Sequence, residues 1–112
     1  MTEPPARGEL WSVAGGVYTG KPRPALIIQD EAFAELKSTT VLPMTTTERD
    51  APLIRFLVEP GPDNGLRQRS WIMIDKITTV RAQNLGTRIG ALTDREILEV
   101  ERLLLVFLGM GR

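Results

Sequence analysis

The hydrophobic period of this chain changes once, at Thr93. Upstream, apolar residues come in short runs ("GELWSV", "ALIIQ", "STTVLPM", "LIRFLVEP", "SWIMID") divided by Gly, Pro, Asn and Asp. Downstream, "TDREILEVERLLLVFLG" (Thr93–Gly109) sets Ile97, Val100, Leu104, Phe107 and Leu108 on one helical stripe. A chain patterned this way is mainly β in the α+β class: roughly five to seven short strands forming a small barrel-like sheet, then one long helix. Its 112 residues predict a single domain over 1–112.

The helix carries its own end signals. Thr93 and Glu96 have the S/T-x-x-E spacing of a capping box. Gly109 falls where a helix stops on a left-handed residue. Glu99 and Arg102 are spaced to pair on the wet face. Leu103, Leu105 and Val106 widen the apolar surface beyond one core's need, which suggests a partner surface, a dimer contact being one form of it.

Strands are expected at Gly8–Val13, with Leu10 on one face and Trp11 and Val13 on the other, at "ALIIQ", and at Ser38–Met44. Within Leu53–Pro60, Ile54, Phe56 and Val58 alternate inward against an outward Arg55. Ser70–Asp75 follows, with shorter candidates at Ile77–Val80 and Arg88–Leu92. "AGGVYTGKP" (Ala14–Pro22) reads as a Gly-rich loop and Asp30–Leu36 as one or two helical turns. Asn64-Gly65 is a hairpin signal.

Composition narrows the chemistry. There are 14 basic and 14 acidic residues, no Cys and no His. Any polyanion site is therefore local. Without imidazole or thiolate there is no His-based acid–base pair and no His or Cys metal site. No carboxylate group has metal-site spacing, and "GVYTGK" lacks the full P-loop pattern. The chain shows no signal peptide and no spanning segment, and the lack of Cys fits a reducing cytoplasm.

What remains is Arg, Lys, carboxylates, hydroxyls and backbone. Arg23 sits between Pro22 and Pro24, which restrict its backbone, and its guanidinium suits phosphate oxygens. Taken alone, "KPRP" reads more simply as a stiff surface turn with a solvated arginine. "MTTTER" (Met44–Arg49) offers hydroxyls after a buried strand, to grip a phosphate or to cap a turn. Asp75 follows an apolar strand and could accept a proton, pair with a cation, or serve as a turn carboxylate. Arg67 and Arg69 are polyanion contacts or edge gatekeepers. Tyr18 is a base-stacking candidate.

In order along the chain, "RGELW", "RPALII", "VLPMT", "SWIMIDKITTV" and "IGALT" before a terminal helix resemble the MazF/PemK/Kid toxins, from Arg7 to about Gly109. The resemblance implies a small SH3-like barrel of the CcdB/MazF toxin type with a C-terminal helix, assembled as a homodimer. It implies the toxin of a type II toxin–antitoxin system. Such a toxin cuts single-stranded RNA or mRNA at short sequences, without the ribosome and without a metal or cofactor. A MazE-like antitoxin fills the RNA groove; no membrane and no independent DNA binding are implied. The family's catalytic positions fall on Arg23, Thr45 and Asp75. Tyr18, Lys21, Thr46, Thr47, Arg49, Lys76 and Thr78 are the RNA-binding candidates.

Three departures stand out. The loop before "KPRP" lacks the longer "DP…G.E" segment of many members, which bears on the base contacts made there. Where many members carry Gln-x-Arg-Thr, this chain has Lys76-Ile77-Thr78-Thr79. Where some place an Arg two residues before the acid, it has Met73. The implied chemistry is attack of the RNA 2′-hydroxyl on the adjacent phosphorus, leaving a 2′,3′-cyclic phosphate and a 5′-hydroxyl. Two alternatives from other classes are a CcdB-like gyrase poison and a catalytically dead binding barrel.

Overall fold

A computed structural model describes residues 4–15 and 18–111, and at 18–20 the backbone alone. The strands are β1 (Glu9–Gly15), β2 (Tyr18–Ile27), β3 (Ser38–Thr45), β4 (Arg55–Val58), β5 (Ser70–Met73), β6 (Thr78–Arg81) and β7 (Leu85–Ala91). They form one seven-stranded sheet in the order β4-β5-β3-β2-β1-β7, with β6 also on β3. Every pairing is antiparallel. Helix α1 (Asp94–Phe107) follows. Among the described residues no helix is long and apolar enough to cross a membrane.

Strand alternation builds two cores. Leu10, Leu26, Leu42 and Met44 point to one side of β1–β3 and join Val58, Ile72, Ile74, Leu92 and Val100. Val13, Ala25, Ile27 and Val41 point to the other side and meet Val80, with Trp11 and Leu85 packed on them. The expected split of Leu10 from Trp11 and Val13 therefore holds. Each side chain changes sides with each residue because the strand period is two.

"KPRP" differs from its expected turn. β2 begins at Tyr18, so Lys21–Pro24 is strand, paired with β1 through Ser12↔Pro24 and Val13↔Arg23. The prolines are tolerated because β3 pairs β2 only over Ala25–Ile27, so β2 beyond Ala25 is an edge. Pro43 sits where β3 has passed its last β6 partner, Val41, and has not yet met β5 at Met44.

Asn64-Gly65 is not a two-residue hairpin turn, since β4 ends at Val58 and β5 starts at Ser70. Buried Asn64 instead organises the loop. Its Oδ1 accepts from the N–H of Gly61 (3.1 Å) and Leu66 (3.0 Å), and its Nδ2 donates to the Glu59 carbonyl (2.8 Å). This loop meets β7: the Ala91 N–H donates to the Asp63 carbonyl at 2.9 Å. The contact is close enough that a Cβ on Gly90 would lie 2.4 Å from the Asn64 carbonyl carbon. The sheet thus rolls into a barrel whose last seam is a loop.

Arg55 is also corrected. It is buried rather than outward, because the Asp75 carboxylate takes its guanidinium and the Ile54 carbonyl accepts a second bond at 3.0 Å. In α1, Val100 is buried with Ile97, Leu103 and Leu104 packed beside it, whereas Phe107 and Leu108 are exposed. Glu99 pairs with Arg95, one turn earlier, rather than with Arg102. The helix ends match the sequence reading. Thr93 and Glu96 form the capping box, and Gly109 (φ 72°) closes a Schellman motif through Gly109 N–H to Val106 O and Met110 N–H to Leu105 O.

Candidate active site

β2 and β3 are paired up to Ala25↔Pro43 and then part. Two residues further along each strand, the register sets Arg23 opposite Thr45, with both side chains leaving the sheet on one face. A cleft of about 270 Å³ opens there, lined by Lys21, Arg23, Thr45, Thr46 and the flanking Pro22, Pro24, Met44 and Ser70. Arg23 is exposed and Thr45 half-buried. The Thr45 Oγ1 accepts from the Thr47 N–H at 3.1 Å, which turns the chain and leaves the hydroxyl proton free to donate.

A second chamber of about 600 Å³ shares Pro22, Arg23, Pro24, Thr46 and Ser70 with the first, so the two are continuous. Its further walls are Ser12, Gly65–Gln68 and Ile89. No carboxylate lines either chamber.

The ion pairs lie outside this lining. Among the described residues, Arg7, Arg55, Arg69, Arg88 and Arg95 are each matched to a carboxylate: Glu101, Asp75, Glu59, Glu9 and Glu99. Lys21, Arg23 and Arg67 form no such pair there. A chain of zero net charge therefore keeps a local positive cleft.

Not every expected residue joins this site. Asp75 follows β5, across β3 from Arg23, since β2 takes one edge of β3 and β5 and β6 the other. Its carboxylate is held by Arg55, whose strand position is opposite Met73. The structure does not bring Asp75 into the cleft lining, nor its neighbours Lys76 and Thr78. Thr47 and Arg49 are exposed on the loop leaving the cleft. The side chain of Tyr18 lies outside the described residues.

Sequence reasoning missed Ser12, Ser70 and Gln68. The serines gave no signal, because each becomes a wall only when the sheet rolls. Gln68 lies between two arginines that read as polyanion contacts or edge gatekeepers. Of those, Arg67 lines the chamber, while Arg69 is tied to Glu59 at 2.9 Å and lies 5.8 Å from the Trp71 ring centre.

Comparison with known proteins agrees with this architecture. A protein of Mycolicibacterium smegmatis named probable endoribonuclease MazF is 50% identical over 106 residues, spanning 94% of this chain and 97% of its own. The solved Mycobacterium tuberculosis toxin MazF-mt6 superposes with a TM-score of 0.79 at 26% identity, over 93% of this chain and 99% of that one. A MazE-MazF structure from Deinococcus radiodurans gives a TM-score of 0.80 over 98% and 100% of the two chains; at 20% identity it speaks to the fold alone. Residues 6–108 match the family described as PemK-like, MazF-like toxin of type II toxin-antitoxin system, and with the rolled sheet, terminal helix and Arg23–Thr45 cleft in place, the chain belongs to that family.

Proposed function

We propose that this chain is the endoribonuclease toxin of its toxin–antitoxin pair, cutting single-stranded RNA in the Arg23–Thr45 cleft as a single-domain protein. The observation that carries the reading is the meeting of Lys21, Arg23 and Thr45 in a cleft with no carboxylate. A phosphodiester is drawn to such a cleft, and splayed single-stranded bases can be read beside it.

The 2′-oxygen attacks the adjacent phosphorus and the 5′-oxygen leaves, giving a 2′,3′-cyclic phosphate and a 5′-hydroxyl. Arg23 donates to the phosphorane oxygens as their charge grows, and one preorganised donor of this kind contributes about 3–4 kcal/mol. Thr45 donates its free hydroxyl proton to the phosphate and fixes its orientation. Lys21 holds the approaching backbone. With Asp75 bound to Arg55, the 2′-proton passes to water and the leaving oxygen is protonated by water.

The proposed partners follow the same surfaces. The extended tail of a MazE-like antitoxin lies in the cleft and blocks RNA. A second copy covers the exposed apolar residues Leu105, Val106, Phe107 and Leu108 at the end of α1. The setting is the cytoplasm, where mRNA is found.

The test is cleavage of a long RNA in EDTA, with the new ends mapped. The expected ends are a cyclic phosphate and a 5′-hydroxyl, and Arg23→Ala slows cutting by about 10²–10³-fold. Loss of cutting in EDTA, 3′-hydroxyl ends, or a fully active Arg23→Ala would each overturn the mechanism.

A further inference from the structure

The second chamber lies one step along the cleft from Arg23, and its chemistry differs from the first. Its base is apolar, from Leu66 and Ile89. Its rim is polar, from Ser12, Arg67 and Gln68. We propose that this chamber receives the base next to the scissile phosphate, and that Gln68 reads that base's edge. The proposal rests on the cleft being an RNA-cleavage site.

Three observations support it. First, the Gln68 side-chain amide makes no hydrogen bond among the described residues, although it lines the chamber. An amide offers two donors and an acceptor side by side, the pattern that matches a base edge such as that of adenine.

Second, the backbone bearing Gln68 is pinned. The Ser70 hydroxyl donates to the Gln68 carbonyl at 3.0 Å, Arg69 is tied to Glu59 at 2.9 Å, and Asn64 braces the loop from within. Gly65 (φ 69°) presses on β7 so closely that a Cβ there would lie 2.2 Å from the Ile89 carbonyl oxygen. The fixed backbone keeps the exposed amide at the chamber's rim, so that only its side-chain torsions are ordered on binding.

Third, the chamber holds a second free donor. The Ser12 Oγ accepts from the Thr87 N–H at 2.9 Å, so its own proton points elsewhere. Arg67 then supplies charge at the rim, suited to the next phosphate rather than to a base. The apolar base takes the face or rim of the nucleobase, and the amide takes its edge.

The division of labour predicts different phenotypes within one experiment. Wild type, Gln68→Ala, Gln68→Glu and Arg23→Ala act on one transcript containing all sequence contexts, and every cut is mapped and quantified. Circular dichroism checks the fold of each variant. Wild type is expected to favour one base at a single position flanking the cut. Gln68→Ala keeps cutting but loses that preference by about tenfold or more at that position only. Gln68→Glu, which replaces the amide's donors by acceptors, shifts the preference to a different base. Arg23→Ala slows all sites alike.

Unchanged base preference in both folded Gln68 variants overturns the proposal while leaving the cleavage reading intact. So does a uniform loss at every site, which would make Gln68 a positioning residue. Absence of cutting by the wild type overturns both readings.

Discussion

Arg23 and Thr45 stand opposite each other at the point where β2 and β3 stop pairing. The register that joins Ala25 to Pro43 would make them the next like-facing pair, but the pairing ends there and a cleft of about 270 Å³, lined by both, opens in the gap. In that gap Thr45 accepts the Thr47 N–H on its oxygen and keeps its one hydroxyl proton to give. Thr45→Val removes the proton and the acceptor together. The expected result is a rate loss of about 10²-fold, with about 0.5–1.5 kcal/mol lost in stability from the abandoned Thr47 bond. Thr45→Ser keeps both functions and most of the rate. Single-turnover cleavage alongside urea unfolding separates the two effects. A Val variant that cuts at the wild-type rate would remove Thr45 from the chemistry.

Asp75 tests the opposite expectation. Family resemblance points to it as an acid, while the structure commits its carboxylate to buried Arg55. Its side chain is 19% exposed and that of Arg55 only 6%, so removing the acid strands a cation with little water to solvate it. Asp75→Asn is therefore expected to lower stability by about 1–3 kcal/mol, somewhat less than the loss of a fully buried pair. Cleavage by the folded variant stays within a few-fold of wild type. A loss of about 10²-fold in single-turnover rate at unchanged urea midpoint would instead return Asp75 to the reaction.

The fate of Asp75 shows where the sequence stops being informative. Periodicity located the strands and the helix, and local spacing located the capping box and the Gly109 terminus, because these depend on neighbours in the chain. Arg23 is visible as a residue, but its local sequence reads as a turn. Whether "KPRP" is turn or strand depends on β1 lying beside it and β3 ending early. Arg55 read as outward because alternation cannot see a carboxylate twenty residues away that makes burial affordable. Gln68, Ser12 and Ser70 become cleft walls only once the sheet has rolled, and no local pattern encodes that closure.

Glu9 ties the fold's stability to pH. Burial pushes the Glu9 carboxyl upward, but bonds from the Ala6 N–H (2.7 Å), Arg88 (2.7 Å) and the Trp11 indole (3.0 Å) outweigh it and hold the group below its usual range. A carboxylate with a depressed folded value stabilises the fold above its unfolded value, about 4.3 for Glu. That contribution is lost as pH falls through the folded value. Wild type should therefore exceed Glu9→Gln in urea midpoint at pH 6, and the gap should close progressively below about pH 4. A gap that is constant from pH 6 to pH 3 would show that Glu9 acts through packing rather than charge.

The seam between the β4–β5 loop and β7 can be tested with glycines alone. Gly90 is buried, and a Cβ there would lie 2.4 Å from one Asn64 backbone atom and 2.5 Å from another, neither of which can rotate away. Gly61, in the same loop, has room: the nearest atom to its Cβ would be the Asn64 side-chain nitrogen at 3.6 Å, an ordinary contact. Gly90→Ala is expected to cost about 1–3 kcal/mol or more, as overpacking does. Gly61→Ala should stay within about 0.5 kcal/mol of wild type, as surface changes away from such features do. Because the displaced loop carries Arg67 and Gln68, Gly90→Ala should also loosen base preference while Arg23 and Thr45 still cut. Equal urea midpoints for the two variants would mean that the loop does not close the barrel against β7.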